Sequence, residues 1–181
     1  KALSATQLQA LGTADFAALT TGQISALTTG QISALTTNQV AAFNTAQMGK
    51  LSSVQLAALT TQQIVAIETA DLLALSSSQI ASFSSAQIAA LTSTQVSKLS
   101  TVQLSSLSTA AITAMDTEDI AAMSTSQIST LTTNQVKALT TKQVLAMTTD
   151  QTTTLSTAQL STMSTSQIAV LETADIAGFS T

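Results

Sequence analysis

From Leu3 onward the chain is one unbroken series of octapeptides, 22 of them without an insertion, followed by a partial unit Phe179-Ser180-Thr181. Residues 19–34 show the least diverged form, LTTGQISA twice in succession. A repeat this short and regular means that the fold must be built from one small unit used many times. Position 1 of the octad is Leu in most copies, and otherwise Phe43, Ile67, Phe83, Met115, Met123, Met147 or Met163. Position 6 is Ile, Leu, Val, Met or Phe in every copy but one, the exception being Thr152. Position 3 is Ser or Thr everywhere except Ala5. Position 5 is Gln in 17 copies, Asp in four (Asp15, Asp71, Asp119, Asp175) and Ala in one (Ala111). Positions 4 and 7 vary freely, which marks them as solvent-facing.

An octad cannot run as one long helix. Eight residues advance an ideal helix by about 800°, so the apolar positions would spiral around the cylinder instead of forming a stripe. A β-solenoid suits the even period and the Thr, Ile and Val content. Its corners, however, need Gly, Asn or Asp at fixed places, and no octad position is regularly Gly or Asn. A helix restarted in every octad fits best. Position 2 is Ser, Thr, Asn, Asp or Gly in 20 of 22 copies, the residues favoured as N-caps. Three residues later comes Gln, completing a capping box, as in Thr20 and Gln23. Positions 1 and 6 then flank the cap as the two halves of a hydrophobic staple, Leu19 and Ile24 in that unit.

The expected fold class is therefore all-α, a solenoid of about 22 units spanning residues 1–181 as a single array, with a β-solenoid as the alternative. Each helix should cover roughly positions 3 to 8, too short to persist alone because nucleation is unfavourable. Stacking must stabilise it, with positions 1 and 6, and the small Ala often found at position 8, turned inward. The position-5 Asp residues are separated by 7, 6 and 7 octads. That spacing fits either a superhelical turn of about 6.5 octads or duplication of a 13-octad block, and the loosely matching flanks favour duplication. The start at Lys1 without an initiator Met suggests a piece of a longer array.

Composition excludes several functions. There is no Cys, His, Pro, Trp or Tyr, and the formal net charge is −4. The basic residues are single lysines, among them Lys50, Lys98, Lys137 and Lys142. Nucleic-acid binding needs clustered positive charge and is not expected. Ser and Thr interrupt every apolar run well short of the ~20 residues that span a bilayer, so membrane insertion is not expected either. The many hydroxyls lack a His or Cys to activate them as nucleophiles, so neither an enzyme nor a small-molecule substrate is expected. No cofactor is implied.

The densest carboxylate group, Asp116, Glu118 and Asp119 in MDTEDIAA, is a weak Ca²⁺ candidate, because hard cations take carboxylate oxygens. Its simpler role is to cap one helix start, where acidic groups favour the dipole. The same reading applies to Glu68 with Asp71 and to Glu172 with Asp175. The Gln row resembles a ligand ladder but is explained as the return half of the capping box. Phe16, Phe43, Phe83 and Phe179 occupy apolar positions and belong to the core. An outward Thr array for ice binding is disfavoured, since the hydroxyls should be engaged by backbone N–H groups.

The LTTxQ[IV]xA octad resembles long repeat arrays in very large bacterial secreted or surface proteins of the adhesin type. That resemblance covers the whole chain and implies an extracellular or cell-surface repeat region, with no catalytic residue and no haem ligand. The Leu-Thr-x-x-Gln-Val opening is also similar to helix starts in DNA-reading effector repeats, but the base-reading loop of that family has no counterpart here. The expected function is a non-catalytic structural spacer. A protein-binding solenoid and a self-assembling filament subunit, with a protein, a surface or another copy as partner, are the alternatives. Two substitutions test the octad frame by thermal unfolding. Ile24→Asp should cost about 3 kcal/mol or more by burying a charge, and Thr20→Pro about 1–2 kcal/mol by removing the cap hydroxyl.

Overall fold

Where a helix reaches position 8 of its octad, two residues of extended backbone are all that separate it from the next. At the end of the helix Thr29–Ala34, Leu35 has φ −57° and ψ 145°, and Thr36 has φ −73° and ψ 157° before the next helix opens. No described residue has a positive φ. Ordinary L-residues therefore turn the chain at every octad, which is why the repeat needs no regular Gly.

The structure is a computed structural model that describes residues 3–171 and Asp175; Glu172 and Phe179 lie outside the described residues. Among the described residues there are 21 short α-helices and no strand, from α1 (Ala5–Gln9) to α21 (Thr165–Ile168). Most run from position 3 to position 7, for example α3 (Thr21–Ser25), and some stop at position 6, as in α6 (Thr45–Met48). The chain falls into two compact units, Lys1–Leu91 and Thr92–Thr181. Each is an all-α solenoid in which a helix packs on the helix three further along, such as α6 on α9 (Thr69–Leu73) in the first unit and α14 (Thr109–Ala114) on α17 (Thr133–Ala138) in the second.

The core of each unit is a row of position-6 side chains together with position 1. Ile24, Ile32, Ile64 and Ile88 in the first unit, and Ile112, Ile120 and Ile128 in the second, are fully buried. Position 1 is buried from Leu35 to Leu155 and again at Leu171, while Met163 and, in the first coil, Leu11, Leu19 and Leu27 are half-buried and Leu3 is exposed. Phe16 at position 6 meets Phe43 at position 1 edge-to-face with centroids 5.1 Å apart, so the two apolar rows contact each other between successive coils. Phe83 is buried as well. Position 4 is exposed throughout the described residues, as its variability implied. Position 8 departs from expectation: Ala58, Ala66, Ala114 and Ala146 are half-buried at the rim, because the core is already filled from positions 1 and 6.

The coil length also corrects one sequence reading. Inter-coil hydrogen bonds join residues 28 and 31 apart, for example Gln63 to Leu35 and Ile32. One coil is therefore three and a half octads, and the spacing of six to seven octads between Asp residues is close to two coils, not one superhelical turn. Truncating a core group tests this packing. Ile64→Ala should cost about 2–5 kcal/mol in denaturant unfolding, whereas Val65→Ala, at a side chain 51% exposed, should stay within about 0.5 kcal/mol.

Candidate functional site

The repeated polar groups are the natural place to look for function, and position 5 is where they converge. In the octad at Leu59, the backbone N–H of Gln63 donates to the Thr60 hydroxyl at 3.2 Å, and the Thr60 N–H donates to Gln63 Oε1 at 2.7 Å. This is the expected capping box. The same pair of bonds recurs with Ser84 and Gln87, with Ser124 and Gln127, and with Asn44 and Gln47.

The other half of the amide does something the octad pattern alone did not reveal. Gln63 Nε2 donates to the carbonyls of Ile32, at 3.0 Å, and Leu35, at 2.7 Å, in the preceding coil. Gln87 does the same to Leu56 (2.9 Å) and Leu59 (2.8 Å). In the second unit Gln127 reaches Val96 and Leu99, Gln135 reaches Leu104 and Leu107, and Gln143 reaches Ile112 and Met115. These carbonyls sit at the C-terminal end of one short helix and at the first residue of the next octad. The helix-end carbonyl already accepts one backbone N–H from three residues on, as Ile32 does from Leu35, and the amide takes up its remaining acceptor capacity. Gln87, Gln127 and Gln135 are buried accordingly. One signal for this was present in the sequence. A capping box accepts Glu as readily as Gln, yet position 5 is never Glu. Only the amide supplies an acceptor for the cap and a donor for the coil below.

The acidic octads are the departures from this ladder. Asp119 takes the return half, accepting the Asp116 N–H at 3.1 Å. Its own N–H goes to the Asp116 backbone carbonyl at 3.2 Å. Burial raises its pKa, opposed by hydrogen bonds from the Asp116 backbone and the Ser93 side chain, with Asp116 and Glu118 adding repulsion. Glu118 is exposed and accepts from the Thr117 hydroxyl at 3.0 Å. The three side chains therefore diverge: Asp119 lies within the fold while Asp116 and Glu118 face solvent. No cluster of three potential metal ligands occurs among the described residues.

Glu68 and Asp71 differ from the capping assignment. Glu68 occupies the N-cap but makes no side-chain cap bond, and the Asp71 N–H uses the Glu68 backbone carbonyl at 3.1 Å. Asp71 is 4% exposed, on a helix packed against α6, and the Thr45 hydroxyl of that helix favours its ionised form. Burial raises its pKa, the Thr45 hydroxyl lowers it, and Glu68 raises it further. Asp175 likewise points across coils: its carboxylate accepts from the Thr152 hydroxyl at 2.8 Å. Two exceptions to the octad pattern thus meet, Thr at position 6 and Asp at position 5. Asp15, in the first coil, is exposed. A cleft of about 230 Å³ lies on the first coil, lined by Leu3, Leu8, Leu19, Gln23, Ala26, Leu27 and Gln31. Its lining is the apolar and amide surface that the preceding coil covers elsewhere in the unit.

The two roles of the amide can be separated. Gln87→Glu keeps a cap acceptor, loses both inter-coil donors and buries a charge, and should cost about 2–4 kcal/mol in urea unfolding. Gln23→Glu, at an exposed residue that bonds Thr20 of its own cap, should change stability by less than about 0.5 kcal/mol.

Comparison with known families follows the same letters. The hexapeptides Ala26–Gln31 (ALTTGQ), Ala34–Gln39 (ALTTNQ), Ala58–Gln63 (ALTTQQ) and Ala138–Gln143 (ALTTKQ) each contain the cap and the amide. The ALTTAQ repeat family matches at residues 1–29, 32–66, 64–101, 96–133, 112–149 and 125–157. No curated protein matches the sequence. With its capped helices, its amide ladder and matches over most of its length, the chain belongs to the ALTTAQ repeat family.

Proposed function

We propose that this repeat region is a non-catalytic structural spacer in a bacterial extracellular or cell-surface protein of the adhesin type. The observation that carries the reading is where the repeated polar groups go. Hydroxyls at position 2 cap their own helices, and amides at position 5 bond both the cap and the coil below. Among the described residues no buried side-chain nitrogen or oxygen lacks a partner. The polar chemistry that the sequence repeats most faithfully is committed to holding coil on coil. Near-identical units of this kind set length and stiffness in proportion to their number. The extracellular and adhesin-type setting rests on the resemblance of the octad to arrays in large bacterial surface proteins.

A second reading, a protein-binding solenoid, is favoured by apolar side chains at the variable positions. Val54 is 68% exposed, Val102 65% and Leu145 58%. Deletions distinguish the two. Removing one whole octad, Leu131–Ala138, should leave cooperative unfolding intact and shorten the particle in small-angle scattering. Removing only residues 131–134 should abolish it, because the coil register depends on whole units. If exchanging Val54, Val102 and Leu145 for Ser abolishes attachment in the parent protein while unfolding is unchanged, the spacer reading gives way to the binding module.

A further inference from the structure

Two faces of the array lack what every interior coil has. Inside the first unit, Gln39, Gln55 and Gln63 donate to carbonyls 28 and 31 residues back, and all three are buried. Gln7 and Gln23 in the first coil are exposed, and their amide nitrogens have no acceptor among the described residues. Leu3, at 42% exposure, and half-buried Leu19 and Leu27 stand beside Gln23 around the cleft. In the second unit the opposite face is uncovered. Position 6 is buried in every described octad up to Thr152, but Leu160 is half-buried and Ile168 is 39% exposed. The Leu160 and Ile168 carbonyls each accept one backbone N–H, from Met163 and Leu171. No Gln follows Gln167, whose amide reaches Val136 and Leu139, so the 181-residue chain holds no further position-5 amide for them.

We propose that these two faces are complementary, and that the first coil of one copy of this chain docks on the last described coil of a second copy. The occupant follows from continuity with the contact already made inside each unit. An interior coil turns amide donors and apolar side chains toward the coil before it. It turns helix-end carbonyls and position-6 side chains toward the coil after it. The first coil carries the first set uncovered, and residues 155–171 carry the second. Docking sets Gln7 and Gln23 of the partner subunit against helix-end carbonyls of the last coil. It sets Leu3 and Leu19 of the partner subunit against the uncovered position-6 side chains. Charge does not oppose this contact. Asp15 is the one charged residue between Leu3 and Gly30, and there is none from Gln151 to Leu171. Asp71 and Asp119 are buried at the same octad position, so the interior contact already accommodates a carboxylate there. Because the two faces differ, the contact is heterologous: a dimer keeps one free face of each kind. This inference goes beyond the spacer reading and does not rest on it.

The test follows the mass of the 181-residue chain by sedimentation equilibrium from micromolar to millimolar concentration. The average mass should rise with concentration past that of a dimer. Gln7→Glu combined with Gln23→Glu removes both donors from one face and keeps each cap acceptor. Ile168→Lys places a charge on the other face, at an exposed side chain. Both variants should keep the wild-type thermal transition at a dilution where wild type is a single chain. Each should raise the concentration of half-association at least about tenfold, the factor for roughly one to two lost hydrogen bonds. Mixed in equal amounts, the variants regain one intact contact, the amide face of Ile168→Lys on the unaltered Ile168 of the double variant. The mixture should form dimers at the wild-type concentration and grow no further. If Ile168→Lys unfolds, Ile168→Ser takes its place with the same expectations. The proposal is overturned if wild type stays a single chain at the highest concentration, or if either variant associates as wild type does. It is equally overturned if the mixture associates no better than the variants alone, because the contact is then not between these two faces.

Discussion

The position-5 amide closes the hydrogen-bond account of a helix that is too short to close its own. A helix of four to six residues leaves almost all its end groups without intrahelical partners, and nucleation works against it. Here the N-terminal groups are met inside the octad, by the position-2 hydroxyl and by the amide oxygen. The C-terminal carbonyls are met by the amide nitrogen of the coil above. Gln39 shows the whole arrangement: its oxygen accepts the Thr36 N–H at 3.1 Å, and its nitrogen donates to Leu8 at 2.8 Å and Leu11 at 3.0 Å. One side chain therefore couples the start of its own helix to the end of another.

The non-integer coil gives this coupling a further property. With three and a half octads per coil, each amide stands over a junction between two octads instead of over the middle of one. Leu8 belongs to one octad and Leu11 to the next, and Gln39 bonds both. The units interlock like staggered courses, so a local opening must break bonds to two neighbours below. Beneath the amides, the apolar rows at positions 1 and 6 remove water, which makes each buried amide bond worth more than it would be at a surface.

Departures from the octad become informative in this frame. Asp175 does not act as a simple first-turn acid; it accepts a hydroxyl from the preceding coil, that of Thr152. Asp119 keeps the return half of the box, accepting the N–H of Asp116 at its own cap. A carboxylate can replace the amide oxygen but not the amide nitrogen. At Asp175 the coil contact is rebuilt around a hydroxyl.

The helix starts were legible in the sequence because capping is local: Thr60 and Gln63 lie three residues apart, and their chemistry permits one arrangement. The core rows were legible for the same reason, as period and polarity placed Ile64 and Leu59 on the buried side. Coil length was not legible, because it depends on how five-residue helices joined by three-residue links pack against one another. No pair of letters 28 apart distinguishes itself when every octad looks alike. The inter-coil role of Gln63, the half-buried rim at Ala66 and the pairing of Asp175 with Thr152 all follow from that stacking. By itself the sequence determined a capped helix in every octad and the side chains it buries. Tertiary structure alone decided which octad lies over which, because contacts between distant, near-identical units are chosen by packing geometry and not by composition.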